Sequence, residues 1–118
     1  MNLIGSRNEH KMRDELLRTN LSLRDGSCGP LSAALESANV SVAGAYVINW
    51  IPEQAEDIYA VIVSPSEVLI VEIPRGKGQV HIERQDLVGY QAKCSRVQRL
   101  KIAVAQELLA TTGIRRVQ

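Results

Sequence analysis

The sequence predicts a single α/β domain (α+β in arrangement), with about four mostly antiparallel strands flanked by helices. At 118 residues, the chain is long enough for one hydrophobic core and too short for two ordinary domains. Residues 57–74 form two apolar segments joined by a tight turn at residues 64–66. Both segments are apolar on both faces, which is typical of strands covered from above and below.

The predicted order is α-α-β-β-β-β-α, and its first two helices are separated by a breaker segment. Ser6 and Glu9 have the spacing of a capping box, which predicts a helix over residues 7–18. The Gly- and Pro-containing residues 24–30 end this unit. Because the apolar stripe of the first helix is thin, we treat residues 1–30 as an extension. Pro30 suits the first turn of a second helix that ends near residue 38, within an α/β domain over residues 31–118.

Four strands are predicted next, over residues 45–51, 57–64, 67–73 and 79–84. The last of them alternates like an exposed edge strand. A final helix is expected to begin at Asp86, because apolar residues then recur at spacings of three and four up to Leu108. Gly113 is the expected stop of this helix, and residues 114–118 are a candidate for a short C-terminal strand.

The composition of the chain argues against three classes of protein: those that stack single-stranded bases, those that span a membrane and those that are secreted. With one Trp, three Tyr and no Phe, the chain is not expected to offer an aromatic platform for single-stranded bases. The longest apolar run is far too short to span a membrane, and the N-terminus lacks a signal-peptide core. Cys28 and Cys94 lack metal-ligand spacing and are expected to be free thiols. We therefore expect a cytoplasmic protein without membrane contact.

The net charge of +1 hides an uneven distribution of charge along the chain. Residues 31–72 carry six acidic side chains and no Lys or Arg, whereas residues 73–118 carry nine basic and three acidic side chains. Such a dipole either neutralises itself on folding or provides two separate interaction surfaces.

The central hairpin has a distinctive spacing. Ile58-Tyr59 is followed by three apolar residues, Ser64-Pro65, a turn, four apolar residues and Glu72-Ile73-Pro74. This spacing resembles the nuclease-related domain of the restriction-endonuclease-like PD-(D/E)XK superfamily, which has Ile-Asp, Gly-Pro and Glu-x-Lys at these places. The resemblance covers about residues 31–116, and it implies a restriction-endonuclease-like fold and Mg²⁺-dependent cleavage of phosphodiesters.

The reactive positions of that family are only partly present here. Glu72 occupies the Glu position, but Tyr59 stands at the Asp position and Pro74 at the Lys position. Asp57 lies two residues before Tyr59 and points to the same side of a strand. Asp57 could therefore replace the lost Asp, which makes Asp57 and Glu72 the candidate metal ligands and catalytic carboxylates. Lys77 or Arg75 could replace the lost Lys, and Glu36 could supply another carboxylate. With two of three positions lost, we expect no catalysis and no cofactor, or Mg²⁺ if the site has been rebuilt.

The predicted final helix supplies a second candidate site. Lys93, Arg96 and Arg99 recur at every third position, and no acidic residue intervenes before Glu107. Such a row suits contacts to phosphates, which require positive charge but no sequence code. Nucleic-acid binding through this helix is the first hypothesis for function. The alternatives are a solvated helix face and ion pairs with the chain's own acidic middle.

Three further hypotheses remain open. The acidic residues 31–72 could bind a basic protein, as an immunity protein does when it neutralises a nuclease toxin. His81, on the predicted edge strand, could act as the acid or base of a metal-independent RNase. The same edge strand or the first helix could pair with a second copy of the chain, which would give a homo-oligomer.

Overall fold

The computed structural model describes the backbone of residues 2–117 and the side chains of residues 9–111. The helices and strands follow the predicted order, with a 3-10 turn at Val42–Gly44 before the sheet. The elements are α1 (Asn2–Asp25), α2 (Pro30–Ser37), β1 (Tyr46–Pro52), β2 (Glu56–Ser64), β3 (Glu67–Pro74), β4 (His81–Asp86), α3 (Leu87–Ala92) and α4 (Arg96–Val117).

The four strands form one antiparallel sheet in chain order, β1-β2-β3-β4. This arrangement needs only short connections, since antiparallel neighbours can be joined by a tight turn. Pro65 and Ser66 make the turn between β2 and β3, where the Ser64 hydroxyl accepts the Ser66 N–H at 3.2 Å. The predicted α+β class, strand number and element order are confirmed.

The sheet is buried on both faces, as the apolar hairpin predicted. Ala60, Ile62 and Val68 pack under α4 and α1, on the face that we call the α4 face. Val61 and Leu69 pack under α2, on the opposite α2 face. Since side chains alternate along a strand, even-numbered residues of the hairpin lie on the α4 face and odd-numbered residues on the α2 face.

Helix α1 is longer than predicted and belongs to the core. Its backbone is already helical at residues 2–6, so the predicted capping box at Ser6 does not start it. The predicted end at residue 18 is also wrong, because Asn20 and Leu23 are buried and tertiary contacts override weak helix propensity there. Leu16 and Leu23 are completely buried in the α4-face and α2-face clusters respectively. The breaker segment ends α1 at Asp25, as expected.

The C-terminal segment differs most from the prediction. Two helices replace the single one, because the Ser95 hydroxyl accepts the Gln98 backbone N–H at 3.2 Å and the Gln98 side-chain oxygen Oε1 accepts the Ser95 backbone N–H at 3.1 Å. This reciprocal pair is a capping box that starts α4. Gly113 does not end α4, since one glycine costs only about 1 kcal/mol inside a helix. Residues 114–117 are helical rather than a strand, and Gln118 lies outside the described residues.

Candidate nucleic-acid interface

The strand register separates the two predicted metal ligands. Asp57 pairs with Ile73, whereas Glu72 pairs with Ile58. Residues paired across neighbouring strands share a face, and consecutive residues alternate between faces. Asp57 therefore lies on the α2 face and Glu72 on the α4 face. The structure does not bring the two carboxylates together, and among the described residues no group of three or more His, Cys, Asp or Glu is placed to hold a metal ion.

The Asp57 carboxylate is instead engaged by two neighbouring side chains. Arg75 donates to it from Nη2 at 2.8 Å and from Nε at 3.2 Å, and Trp50 donates from Nε1 at 3.1 Å. These hydrogen bonds, Arg75 first and Trp50 second, hold the pKa of the Asp57 carboxyl below its usual value. In return, Asp57 raises the pKa of Arg75. Asp57 therefore acts as an anchor for Trp50 and Arg75.

Lys77 and His81, the other residues considered for catalysis, lie apart from this cluster. Lys77 is exposed in the connection between β3 and β4, and Arg75 takes the place beside Asp57. His81 is exposed at the start of β4 and pairs with Glu72, which puts it on the α4 face. These side chains do not converge on Asp57.

Trp50 and Tyr59 form an aromatic pair on the α2 side of the sheet. Their ring centroids are 6.3 Å apart, and their planes differ by only 9°. Tyr59 is half-buried, and burial is the main reason that its pKa is raised. Trp50 remains 57% exposed, so part of its ring is open to solvent. The expectation that the chain offers no aromatic platform for single-stranded bases stays a prediction.

A cleft of about 540 Å³ opens beside this aromatic pair, and we call it the Trp50 cleft. Trp50 and Tyr59 line it from the sheet, Arg18 from α1 and Lys101 from α4. Lys101 donates to Glu15 at 3.4 Å, whereas Arg18 forms no ion pair with any side chain that the structure describes. The cleft thus combines an aromatic wall with positive charge.

A second cleft of about 320 Å³, the Lys93 cleft, lies on the α4 face. Its lining includes Lys93, Gln98 and Tyr90 from the α3–α4 region. Asn49 lines both this cleft and the Trp50 cleft. The β1–β2 register shifts between Val47 and Asn49, and such a bulge re-aims the side chains around it. Asn49 thus links the two clefts at the end of β1.

The predicted basic row is divided between two helices. Lys93 caps the C-terminal end of α3, while Arg96 and Arg99 lie in the first turns of α4. The prediction that all three share one helix is wrong, because the Ser95–Gln98 capping box starts a new helix. All three side chains are exposed. The ion pairs found among the described side chains involve Arg13, Arg75, Arg84 and Lys101, and none of these three.

Comparisons with protein-family models, with curated proteins and with solved structures give no significant match. The resemblance to the nuclease-related domain therefore stays a prediction, as does the restriction-endonuclease-like fold. No helix in the described part of the chain is long and apolar enough to cross a membrane.

Proposed function

We propose that this protein binds nucleic acid without cleaving it, through the cationic surface formed by Lys93, Arg96 and Arg99. One observation carries the proposal: these three exposed cations have no ion-pair partner among the described side chains. Phosphate groups are the ligands that such a surface fits, since they require positive charge with little geometric constraint.

The position of the two arginines supports the same conclusion. Arg96 and Arg99 lie at the N-terminal end of α4, where the helix dipole is positive, and the first turn contains no acidic residue. Each cation placed there costs a helix about 0.3–1 kcal/mol when it is unpaired. The stability of α4 therefore does not explain why two arginines stand at its N-terminal end. A bound anion would offset the cost, because both the helix end and the arginines attract negative charge.

The acidic middle of the chain does not neutralise this surface. Among the side chains of residues 9–111, two ion pairs join it to the basic C-terminal third, Asp57 with Arg75 at 2.8 Å and Glu67 with Arg84 at 3.1 Å. Both use cations that precede Lys93 in the chain. Self-neutralisation accounts for part of the charge dipole and leaves the proposed surface free.

The non-catalytic part of the proposal is supported by the arrangement of the carboxylates. A phosphodiesterase of the kind that the hairpin resembles needs two carboxylates on one Mg²⁺ ion. Here Asp57 and Glu72 point to opposite faces, and Arg75 and Trp50 engage Asp57. The residues present do not fit a shared metal site.

The test is fluorescence anisotropy with labelled DNA and RNA, single- and double-stranded, over a range of salt concentrations. We expect affinity to fall steeply with salt. In a plot of the logarithm of the association constant against the logarithm of the salt concentration, the slope should be about −0.7 to −0.9 for each phosphate contacted. The double variant Arg96→Glu/Arg99→Glu should weaken binding at least about tenfold. It should also reduce the magnitude of the salt slope by the amount that about two phosphate contacts contribute. Lys11→Glu, compared with each single arginine reversal, is the control, since Lys11 is exposed on α1 and its neighbour Arg13 pairs with Glu107, well beyond α4's start.

Two results would contradict the proposal. Equal losses in Lys11→Glu and in each single arginine reversal would show only nonspecific attraction. Mg²⁺-dependent cleavage that is lost in Glu72→Ala would show that a nuclease site has been rebuilt around Glu72, and the protein would then be an enzyme.

The second candidate is a protein-binding role, as in an immunity protein. Glu53 and Glu56 favour it, because they line a shallow hollow of about 780 Å³ at the β1–β2 turn and have no ion pair among the described side chains. Under this hypothesis, Glu53→Lys/Glu56→Lys weakens a complex with a basic nuclease toxin encoded beside this protein. Under the nucleic-acid hypothesis, the same change leaves nucleic-acid binding intact or strengthens it.

A further inference from the structure

We infer that the nucleic acid is single-stranded and that one of its unpaired bases stacks on Trp50, with the neighbouring phosphate held by Arg18 and Lys101. This inference rests on the proposed function and extends it to a second surface, the Trp50 cleft. Trp50, Tyr59 and the two cations line one cleft, and they come from four separate elements.

The indole ring is held in one orientation before any ligand arrives. Tyr59 stacks on it with nearly parallel planes, and the Asp57 carboxylate accepts its Nε1–H. Asp57 is itself fixed by two hydrogen bonds from Arg75. An exposed aromatic ring with so little freedom loses little entropy on binding, which favours ligand stacking. Because every base has a π-face, such a platform accepts bases of any sequence.

The cleft has the size and the charge that one nucleotide needs. Its volume of about 540 Å³ lies in the range of small-molecule sites. Arg18 and Lys101 outweigh Glu15 and leave a net positive charge in the lining. Cys28 also lines the cleft, and burial raises the pKa of its thiol, so it remains neutral and does not repel a phosphate.

The Trp50 cleft and the Lys93 cleft meet at one shared lining residue at the end of β1. Asn49 lines both the Trp50 cleft and the Lys93 cleft, so a strand that leaves Trp50 can pass the end of β1 and reach Lys93. One strand would then contact the aromatic platform, the cations of the Trp50 cleft and the start of α4.

Single-strandedness follows from the geometry of stacking. In a duplex the base faces are covered by neighbouring base pairs, and a base must be flipped out at a free-energy cost before a side chain can cover it. An indole ring that is held on the sheet surface cannot enter the duplex to fill the space that a flipped base leaves, so the cost of flipping is not offset. Duplexes are therefore limited to phosphate contacts at Lys93, Arg96 and Arg99, whereas single strands use both surfaces.

The experiment uses the intrinsic fluorescence of Trp50, the chain's single tryptophan. The probe is oligothymidylate of about 12 nucleotides, within the range that one such site covers. Stacking on a base quenches indole emission, so we expect quenching that saturates with the same Kd as anisotropy. Trp50→Ala should lose about 5-fold to 150-fold in affinity for the single strand, and duplex affinity should not change.

The control variants separate stacking from folding. Val88→Ala removes another exposed apolar side chain, 74% exposed on α3, and should leave affinity unchanged. Trp50→Phe keeps a ring and should lose less affinity than Trp50→Ala. If Trp50→Ala does not fold, Arg18→Glu still tests the cleft, because this exposed cation has no ion pair among the described side chains.

The outcomes for the two proposals are distinguishable. Absence of binding to any nucleic acid would overturn the proposed function and, with it, this inference. Salt-sensitive binding that does not quench Trp50 and is equal for single strands and duplexes would overturn the inference alone. Unchanged single-strand affinity in Trp50→Ala would do the same.

Discussion

The two edges of the sheet are protected in different ways. Beside the start of β1, Asn20 of α1 donates from Nδ2 to the carbonyl oxygens of Val42, Ala43 and Ala45 at 2.8–3.2 Å, and on the β1 edge itself Thr19 accepts the Val47 N–H at 3.2 Å. At the β4 edge, the strand is short, exposed and rich in charged side chains. Charge and shortness discourage pairing with another chain without covering the edge.

The contrast also distinguishes the surroundings of the Trp50 cleft. Trp50 and Asn49 belong to β1 and Arg18 to α1, and the Thr19 and Asn20 side chains of α1 hold the start of β1 and the turn before it. On the β4 side, the ion pair between the exposed side chains of Arg84 and Glu67 contributes little rigidity. Homo-oligomerisation through β4 stays a prediction, and the charged strand does not favour it.

The largest expected effect is at the buried contact of the β1 edge. Asn20 is 6% exposed and its amide bonds to three carbonyl groups, of which that of Val42 also accepts the Ala45 N–H at 3.2 Å, so Asn20→Ala would remove the side-chain donor from all three. We expect the free energy of unfolding to fall by about 3 kcal/mol, measured by urea denaturation. Gln85→Ala on β4 is the matched control, with an expected change within about 0.5 kcal/mol. Equal losses at both sites would remove the distinction between the edges.

A smaller effect on stability is expected from Asp57, the carboxylate that accepts the Trp50 Nε1–H. Because the pKa of Asp57 is held below its ordinary value of 3.8, its contribution to stability is present above that pH. The contribution is lost as the pH falls through the lower pKa of the folded state. Trp50 emission should therefore change in this acidic range in the wild type.

In Asp57→Asn, this acidic transition of Trp50 emission should disappear. Asp25→Asn is the control, because the pKa of Asp25 is also lowered, but by hydrogen bonds with Ser27. The assignment of Asp57 as the anchor would be wrong if Asp25→Asn removed the transition and Asp57→Asn retained it.

The smallest effect is expected at the β4 edge. Arg84 and Glu67 form an ion pair at 3.1 Å, and the two side chains are 51% and 40% exposed. Since solvent and salt screen such pairs, Arg84→Ala should lower the free energy of unfolding by no more than about 0.5 kcal/mol. A loss comparable to that in Asn20→Ala, measured in the same denaturant series, would show that β4 is as firmly held as β1.

Several elements were predictable because their signals are local. The Gly- and Pro-containing segment ends α1 at Asp25, and the apolar hairpin forms β2 and β3 nearly at the predicted residues. The start of α4 was also readable, since Ser95 and Gln98 have the spacing of a capping box. It was missed because the apolar periodicity continues across residues 93–95 and favours one helix.

The candidate site was harder to predict because it depends on contacts between distant residues. Trp50 lies in a segment whose alternation is interrupted by the bulge between Val47 and Asn49, so sequence alone does not tell which face it takes. Arg18 was overlooked because the first helix was expected to end there. The residue types, a tryptophan and nearby cations, were visible, but their meeting in one cleft was not.

By itself, the sequence determined the order of elements and the burial of the hairpin on both faces, since breakers and hydrophobic periodicity act over a few residues. Only the tertiary structure decided which charged groups meet. A one-residue difference in register puts Asp57 and Glu72 on opposite faces, and residues far apart in the chain pair Asp57 with Arg75. The same long-range packing leaves Lys93, Arg96 and Arg99 exposed without an ion-pair partner among the described side chains, and it pairs Glu107, the next acid along the chain, with Arg13.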